Sequence, residues 1–280
     1  MAILLLAAAL AGCGQKPIPL ASAAAAAAPA DSNTPVPAAG RTAQGSGEKE
    51  PAHADTQAVP TTQAAQAVHA SAEYNLKQHV TYSGPRSQKK VALTFDDGPD
   101  TKYTEQILDI LKKSNVVATF FVTGEHAAAH PEVMKHIVAG GHEIGNHSWD
   151  HTNLTTLSEA QMAEQIEKTD QTIQRFTGQL PTLVRPPYGA LSKEVADYAE
   201  QSHRIVCWSV DTRDWEGISV ERILDNVKKE VKPGSIILQH SAGGKKGNLS
   251  NTVTALPQVI RYLKEHGYEL TTVTDLIQQG

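Results

Sequence analysis

The sequence predicts an α/β fold, a distorted (β/α) barrel of about seven parallel strands preceded by a disordered N-terminal tether. Three observations carry this expectation. From Lys89 onward, short β-rich apolar runs alternate with segments of helical periodicity, the pattern of βα units in a mainly parallel sheet. Each of the first six candidate strands is followed by a candidate helix. Every aromatic residue lies at or beyond Tyr74, so the first quarter of the chain lacks bulky rings to anchor a core. About 200 residues remain to fold, enough for one sizeable core.

The elements follow in chain order. Ile3 to Ala11 is continuously apolar but, at about 1.5 Å per residue, falls well short of a ~30 Å bilayer core. It is a signal-like segment. Leu10-Ala11-Gly12-Cys13 reads as a bacterial lipoprotein cleavage site, which assigns residues 1–13 to a signal with a lipobox and makes Cys13 a lipid anchor. The chain is then expected to be extracytoplasmic and membrane-anchored, with plain secretion as the alternative. Residues 14–75 are dominated by Ala, Pro, Thr, Gln and Ser, including the run Ala23 to Ala28. Such a segment cannot bury enough apolar surface to offset its ordering entropy, so it is read as a flexible tether. Residues 76–280 form the folded domain. The candidate strands are Val91–Phe95, Val117–Val122, His142–Gly145, Leu183–Arg185, Ile205–Val210, Ser235–Gln239 and Tyr268–Thr271. Among the intervening helices, Thr104, Ile107, Leu108 and Leu111 share one face. Met162, Ile166, Ile173 and Phe176 share another, on a helix opened by Ser158 and Gln161 as a capping box. Pro131 suits a first helical turn, and Ser192 and Ser219 suit N-caps.

Two cysteines, Cys13 and Cys207, cannot supply a disulfide framework. Cys207, inside an apolar strand, reads as a buried inert thiol. A net charge of −5 argues against a nucleic-acid partner.

In barrels of this kind chemistry gathers at the C-terminal ends of the strands. The residues immediately after the candidate strands are Asp96-Asp97-Gly98, Asn146 to His151, Arg185 to Tyr188, Asp211 to Trp215, and His240. Paired carboxylates, two histidines, an arginine and a further acidic pair therefore meet on one rim. His147 and His151 at i, i+4 would face the same way across one helical turn and bind one metal. Two imidazoles, one carboxylate and an open position describe a catalytic zinc-type centre. Adjacent residues leaving a strand point to opposite sides, so one of Asp96 and Asp97 binds metal while the other accepts a proton. His240 is the remaining rim histidine and the candidate acid. Asp211 is read as structural and Trp208 as core, whereas Trp149 is divided between packing and groove wall. Ser241 to Gly247 is expected to be a mobile loop over the site and matches no P-loop pattern.

From about Val80 to Gly280 the chain resembles the polysaccharide deacetylase family, the carbohydrate esterases with the chitooligosaccharide (NodB-type) deacetylase domain. The resemblance rests on five motifs in order: Thr94 to Gly98, His147 to His151, Arg185-Pro186-Pro187-Tyr188, Asp211 to Trp215, and Leu238-Gln239-His240. It implies that Asp97, His147 and His151 bind a divalent metal, Zn2+ or an active substitute such as Co2+. It makes Asp96 the general base, paired with Arg185, and His240 the general acid, held by Asp214. Trp215 and Leu238 would wall the acetyl pocket, Pro187 and Tyr188 would contact substrate, and the Tyr188 backbone N–H would help stabilise the oxyanion. The implied activity is removal of N-acetyl groups from N-acetylglucosamine in a cell-wall polysaccharide, peptidoglycan; separately, the chain is expected to be a monomer. The tether favours such a polymer. Chitin oligomers, poly-N-acetylglucosamine, acetylated xylan, a non-carbohydrate amide and a catalytically silent wall-binding module are the alternatives.

Overall fold

The computed structural model describes residues 75–278. The signal-like segment, Cys13 and the tether up to Tyr74 lie outside the described residues.

In chain order the described elements are β1 (Val80–Thr81), β2 (Lys90–Asp96), α1 (Tyr103–Ser114), β3 (Thr119–Val122), α2 (Gly124–Ala129), α3 (Pro131–Ala139), β4 (Glu143–Asn146), α4 (Glu159–Thr177), β5 (Leu183–Val184), α5 (Lys193–Ala199), β6 (Arg204–Val206), β7 (Val210–Asp211), α6 (Val220–Glu230), β8 (Ile236–His240), α7 (Ser250–Glu265), β9 (Glu269–Thr271) and α8 (Val273–Gln278). The expected faces are buried: Thr104, Ile107, Leu108 and Leu111 on α1, and Met162, Ile166 and Ile173 on α4. Ser158 and Gln161 form the capping box, Pro131 opens α3, and Ser192 and Ser219 cap α5 and α6.

All strand pairings between the named strands are parallel, in the order β1-β6-β5-β4-β3-β2-β8-β7, with β9 added to β2. The candidate strand Ile205–Val210 is in fact two strands, β6 and β7, the second and the last in that order. Four residue steps from Val206 to Val210 reach at most roughly 14 Å, so the two ends must lie close together and the sheet curls into a barrel. Cys207, Trp208 and Ser209 form its seam: the Cys207 N–H donates to the Thr81 carbonyl and the Ser209 N–H to the Ile236 carbonyl. β1 had no periodicity to announce it, being two residues long, yet it pairs with β6 and its continuation Ser83 bridges Ser235 beside β8.

Strand alternation sorts the core into an outer and an inner part. Val91, Leu93 and Phe95 of β2 pack outward with α1, α3 and α7 residues such as Ile107, Ile137 and Leu256. Ala92 faces inward with Phe121, Leu183, Val206 and Ile236, where Val273 and Leu276 of α8 join them. One layer further along β2, Thr94 and then Asp96 continue the inward column, in register with Leu238 and His240 of β8.

Candidate active site

Asp96 ends β2 inside the barrel mouth and is buried. Its Oδ1 accepts from the Arg185 guanidinium at 2.6 Å. Arg185 is fully buried and spends its other donors on Thr94 Oγ1 (2.9 Å) and the Val206 and Cys207 carbonyls (3.2 and 3.1 Å). Its charge also lies 4.0 Å over the Phe121 ring, a stacking that only a planar guanidinium makes. Arg185 therefore presents one fixed N–H to one oxygen of Asp96.

The two carboxylates are not on opposite sides, as strand alternation had suggested. Asp97 has a left-handed backbone, φ 71°, which turns the chain at the strand end. His147 Nε2 consequently lies 3.8 Å from Asp96 Oδ2 and 3.4 Å from Asp97 Oδ1. What separates the two acids is their partners. Asp96 is tied to Arg185, whereas Asp97 Oδ1 is buried without a hydrogen-bond donor.

His147 and His151 also differ from the expected helical turn, because residues 147–151 are a loop with left-handed backbone at Ser148 (φ 66°) and His151 (φ 64°). The loop curls because its amides are satisfied locally. Ser148 N–H donates to Asn146 Oδ1 at 2.7 Å, His151 N–H to Ser148 Oγ at 3.1 Å, and Trp149 N–H to Gln165 Oε1 of α4 at 2.8 Å. The imidazoles nevertheless converge, with ring centroids 5.0 Å apart and His151 Nε2 at 3.3 Å from Asp97 Oδ1. His147 Nδ1 lies 2.6 Å from the Arg185 carbonyl. A carbonyl only accepts, so Nδ1 carries a proton and Nε2 is the nitrogen aimed at the cleft, free to ligate in the neutral ring.

Ligand atoms of Asp97, His147 and His151 all lie within 4.8 Å of one another. An orphaned buried carboxylate oxygen facing two imidazole nitrogens is a donor set that fits a divalent cation. Electrostatics agree. Burial alone would raise the Asp97 carboxyl, but His147 and, behind it, His240 and His151 hold it at about 2. Burial likewise opposes the His147 cation, yet Asp96 and Asp97 outweigh it and raise its pKa; at His151 burial and His147 prevail and lower it.

Across the mouth, β8 delivers His240. Its Nδ1 donates to Asp214 Oδ1 at 2.7 Å and its backbone N–H to Asp214 Oδ2 at 2.9 Å. Asp214 is buried and also accepts from Trp215 N–H and Thr252 Oγ1, each at 2.9 Å. Burial would depress the His240 pKa, but Asp214 overcomes it and lifts it to about 9. The cleft between these groups is about 830 Å³ and is also walled by Tyr188, Trp208, Trp215, Leu238 and Lys245. Tyr188 and Trp215 are 69% and 47% exposed, so two aromatic faces are open to a ligand. Tyr188 sits edge-on to His151, with centroids 4.6 Å apart. Pro187 is buried, and Asp211, whose carboxyl is raised by burial, accepts from Arg213 N–H while also lining the cleft.

The sequence profile of polysaccharide deacetylases matches residues 83–205. A peptidoglycan-N-acetylglucosamine deacetylase of Bacillus cereus is 45% identical over 203 residues, 72% of this chain and 73% of the relative. The chain belongs to the polysaccharide deacetylase family. A solved structure of the Bc1960 peptidoglycan N-acetylglucosamine deacetylase, in complex with a naphthalenyl N-hydroxybenzamide, superposes with a TM-score of 0.70 at 43% identity, covering 72% of this chain and 95% of that one. The peptidoglycan-N-acetylmuramic acid deacetylase PdaC of Bacillus subtilis is 39% identical over 190 residues, 68% of this chain but only 39% of its own length.

Within this polysaccharide deacetylase chain, the residues that hold the site are less legible than those that face it. Thr94 lies inside a motif but reads as a strand residue, and its hydroxyl both accepts from Arg185 and donates to the Ile237 carbonyl. Thr252 looks like any residue of a helix first turn. Asp170, on α4, accepts from Asn146 at 2.7 Å and is 3.0 Å from His203. Each acts across more than 20 residues of sequence, so no local spacing announces it.

Proposed function

We propose that this chain is a metal-dependent hydrolase that removes N-acetyl groups from N-acetylglucosamine units of peptidoglycan and releases acetate. The observation that carries this reading is the orphaned Asp97 Oδ1 facing His147 and His151, between an arginine-held carboxylate and an aspartate-held histidine. Asp97, His147 and His151 hold the cation, for which zinc is proposed from the two-imidazole, one-carboxylate donor set, with cobalt as a substitute. When bound, it supplies the Lewis acid that polarises the acetamide carbonyl.

The chain's own residues do the rest. Asp96 accepts a proton as water attacks the carbonyl carbon, and the Arg185 bond leaves its second oxygen turned toward His147 and the cleft. The backbone N–H of Tyr188 is assigned to the developing oxyanion, a kind of donor whose removal costs roughly 3 kcal/mol. His240 gives its proton to the sugar nitrogen as the C–N bond breaks, leaving a free amine and acetate. The exposed rings of Tyr188 and Trp215 flank the sugar and Leu238 walls the acetyl methyl; Pro187 supports the Tyr188 turn. The assignment of 1–13 to a lipidated signal, 14–75 to a tether and 76–280 to the catalytic domain completes the proposal: a monomeric enzyme carried on the outer face of a membrane, within reach of the wall.

Acetate release by the full chain from peptidoglycan, chitin oligomers and acetylated xylan tests this. Release from peptidoglycan should vanish on chelation and return with zinc; release from xylan alone would overturn the substrate. Asp96→Asn keeps an oxygen for Arg185 and should retain zinc while losing at least about 10²-fold in kcat. Loss of zinc in that variant would mean that the two aspartates exchange roles.

A further inference from the structure

The cleft explains what Asp97 does but not why its backbone stays in a left-handed conformation that non-glycine residues rarely adopt. The two peptide planes that flank its Cα are both pinned. The Asp96 carbonyl accepts from Ser241 N–H at 2.9 Å. On the other side, His126 Nδ1 lies 2.7 Å from the Asp97 carbonyl. Because a carbonyl only accepts, His126 is the donor there. Fixing both planes fixes φ and ψ at Asp97, and with them the direction of its Cα–Cβ bond.

His126 sits on α2, and the same short helix grips both ligand-bearing loops. Thr123 N–H donates to the Gly98 carbonyl at 3.1 Å, Gly124 N–H to the Ser148 carbonyl at 3.0 Å, and Glu125 N–H to the Trp149 carbonyl at 2.9 Å. Trp149 is packed so closely that a Cβ on Gly124 would fall 2.3 Å from its ring. One loop carries Asp97, and the other carries His147 and His151. The backbone bonds survive any side-chain change; Ser241 Oγ also donates to the Asp96 carbonyl, at 3.3 Å, and from α2 the side-chain tie to the Asp97 peptide is His126.

We propose that His126 is a positioning residue for the metal centre: its ring N–H to the Asp97 carbonyl aims the Asp97 carboxylate at His147 and His151. It touches neither cation nor substrate. Partners that orient ligands in this way typically change metal affinity by 10- to 100-fold when removed.

The inference rests on the metal reading of the site, and the experiment separates the two. Zinc dissociation constants are measured by chelator competition for the full parent chain, for His126→Leu, and for His126→Asn, whose side-chain amide can place an N–H near the Nδ1 position. Thermal midpoints of the chelated chains are measured alongside. The expected result is about 10-fold weaker zinc binding in His126→Leu, a chelated midpoint unchanged from the parent, and recovery of most of the affinity in His126→Asn. Parent-like zinc binding by His126→Leu would overturn the role of His126. So would a loss that follows a lowered midpoint in the chelated chain, or that His126→Asn does not recover. A parent chain that binds no zinc would instead overturn the metal site itself.

Discussion

His240 and Asp214 show how a single contact sets a working pH. Burial disfavours the imidazolium, yet the Asp214 carboxylate, at 2.7 Å, holds the proton on up to about 9. The proposed acid must be protonated to act, so kcat/KM should fall on the alkaline side as His240 loses its proton. A cation at Asp97 cancels part of the negative charge that His240 senses, and the limb of the loaded enzyme should therefore lie below about 9. Asp214→Asn removes the charge that raises the pKa and should move the alkaline limb to lower pH by about one unit or more, with a lower plateau; a pH–rate profile of the zinc-loaded chain checks this. An unmoved limb would assign it to another group. The chemistry-bearing residues at this scale were legible because each stands at the end of an apolar run or within a few residues of it. The geometry of Asp97 was not, since alternation holds only while the backbone stays extended, and φ 71° ends it at the residue that matters.

Elements were read well where periodicity is long and badly where it is short. The 19-residue α4 declared both its capping box and its buried face, whereas the two-residue β1 and the β6–β7 break gave no signal, because pairing across the barrel seam decides them. The spacing of His147 and His151 was compatible with a helix, but Asn146 and Gln165 offer the loop amides better-placed acceptors and the helix does not form. β4 contains a sharper constraint. A Cβ on Gly145 would stand 2.6 Å from the Phe121 ring and 3.3 Å from the Leu183 carbonyl. The ring has little room to retreat, because the Arg185 guanidinium lies 4.0 Å over it. Gly145→Ala should then destabilise the chain by about 1–3 kcal/mol in urea unfolding. It should also lower kcat through Arg185 and Asp96, although position 145 lines no part of the cleft.

At the scale of the whole molecule, the barrel separates holding from reacting. Its mouth carries the polar rim, while α8 inserts Val273 and Leu276 among Ala92, Phe121, Leu183 and Ile236 below. Val273 N–H donates to Thr119 Oγ1 at 2.9 Å, which seats α8 at the start of β3. Leu276→Ala should cost about 2–5 kcal/mol of stability and leave zinc stoichiometry unchanged, as calorimetry with and without the ion would show. Equal loss of zinc sites would mean that the lower core and the mouth are not independent. The parallel sheet and its curling into a barrel were legible from the count and alternation of βα units; the place of the seam was not, because it is three residues, Cys207 to Ser209, with no pattern of their own. The position of α8 has a practical side. β1 enters parallel to β6, and the chain leaves through a helix seated against the beginnings of β2 and β3, so both ends of the described chain belong to the face opposite the cleft. A surface or affinity matrix that grips the folded unit by either end would leave its mouth facing solution, and an immobilised preparation should release acetate from soluble peptidoglycan fragments at close to the rate of the free chain.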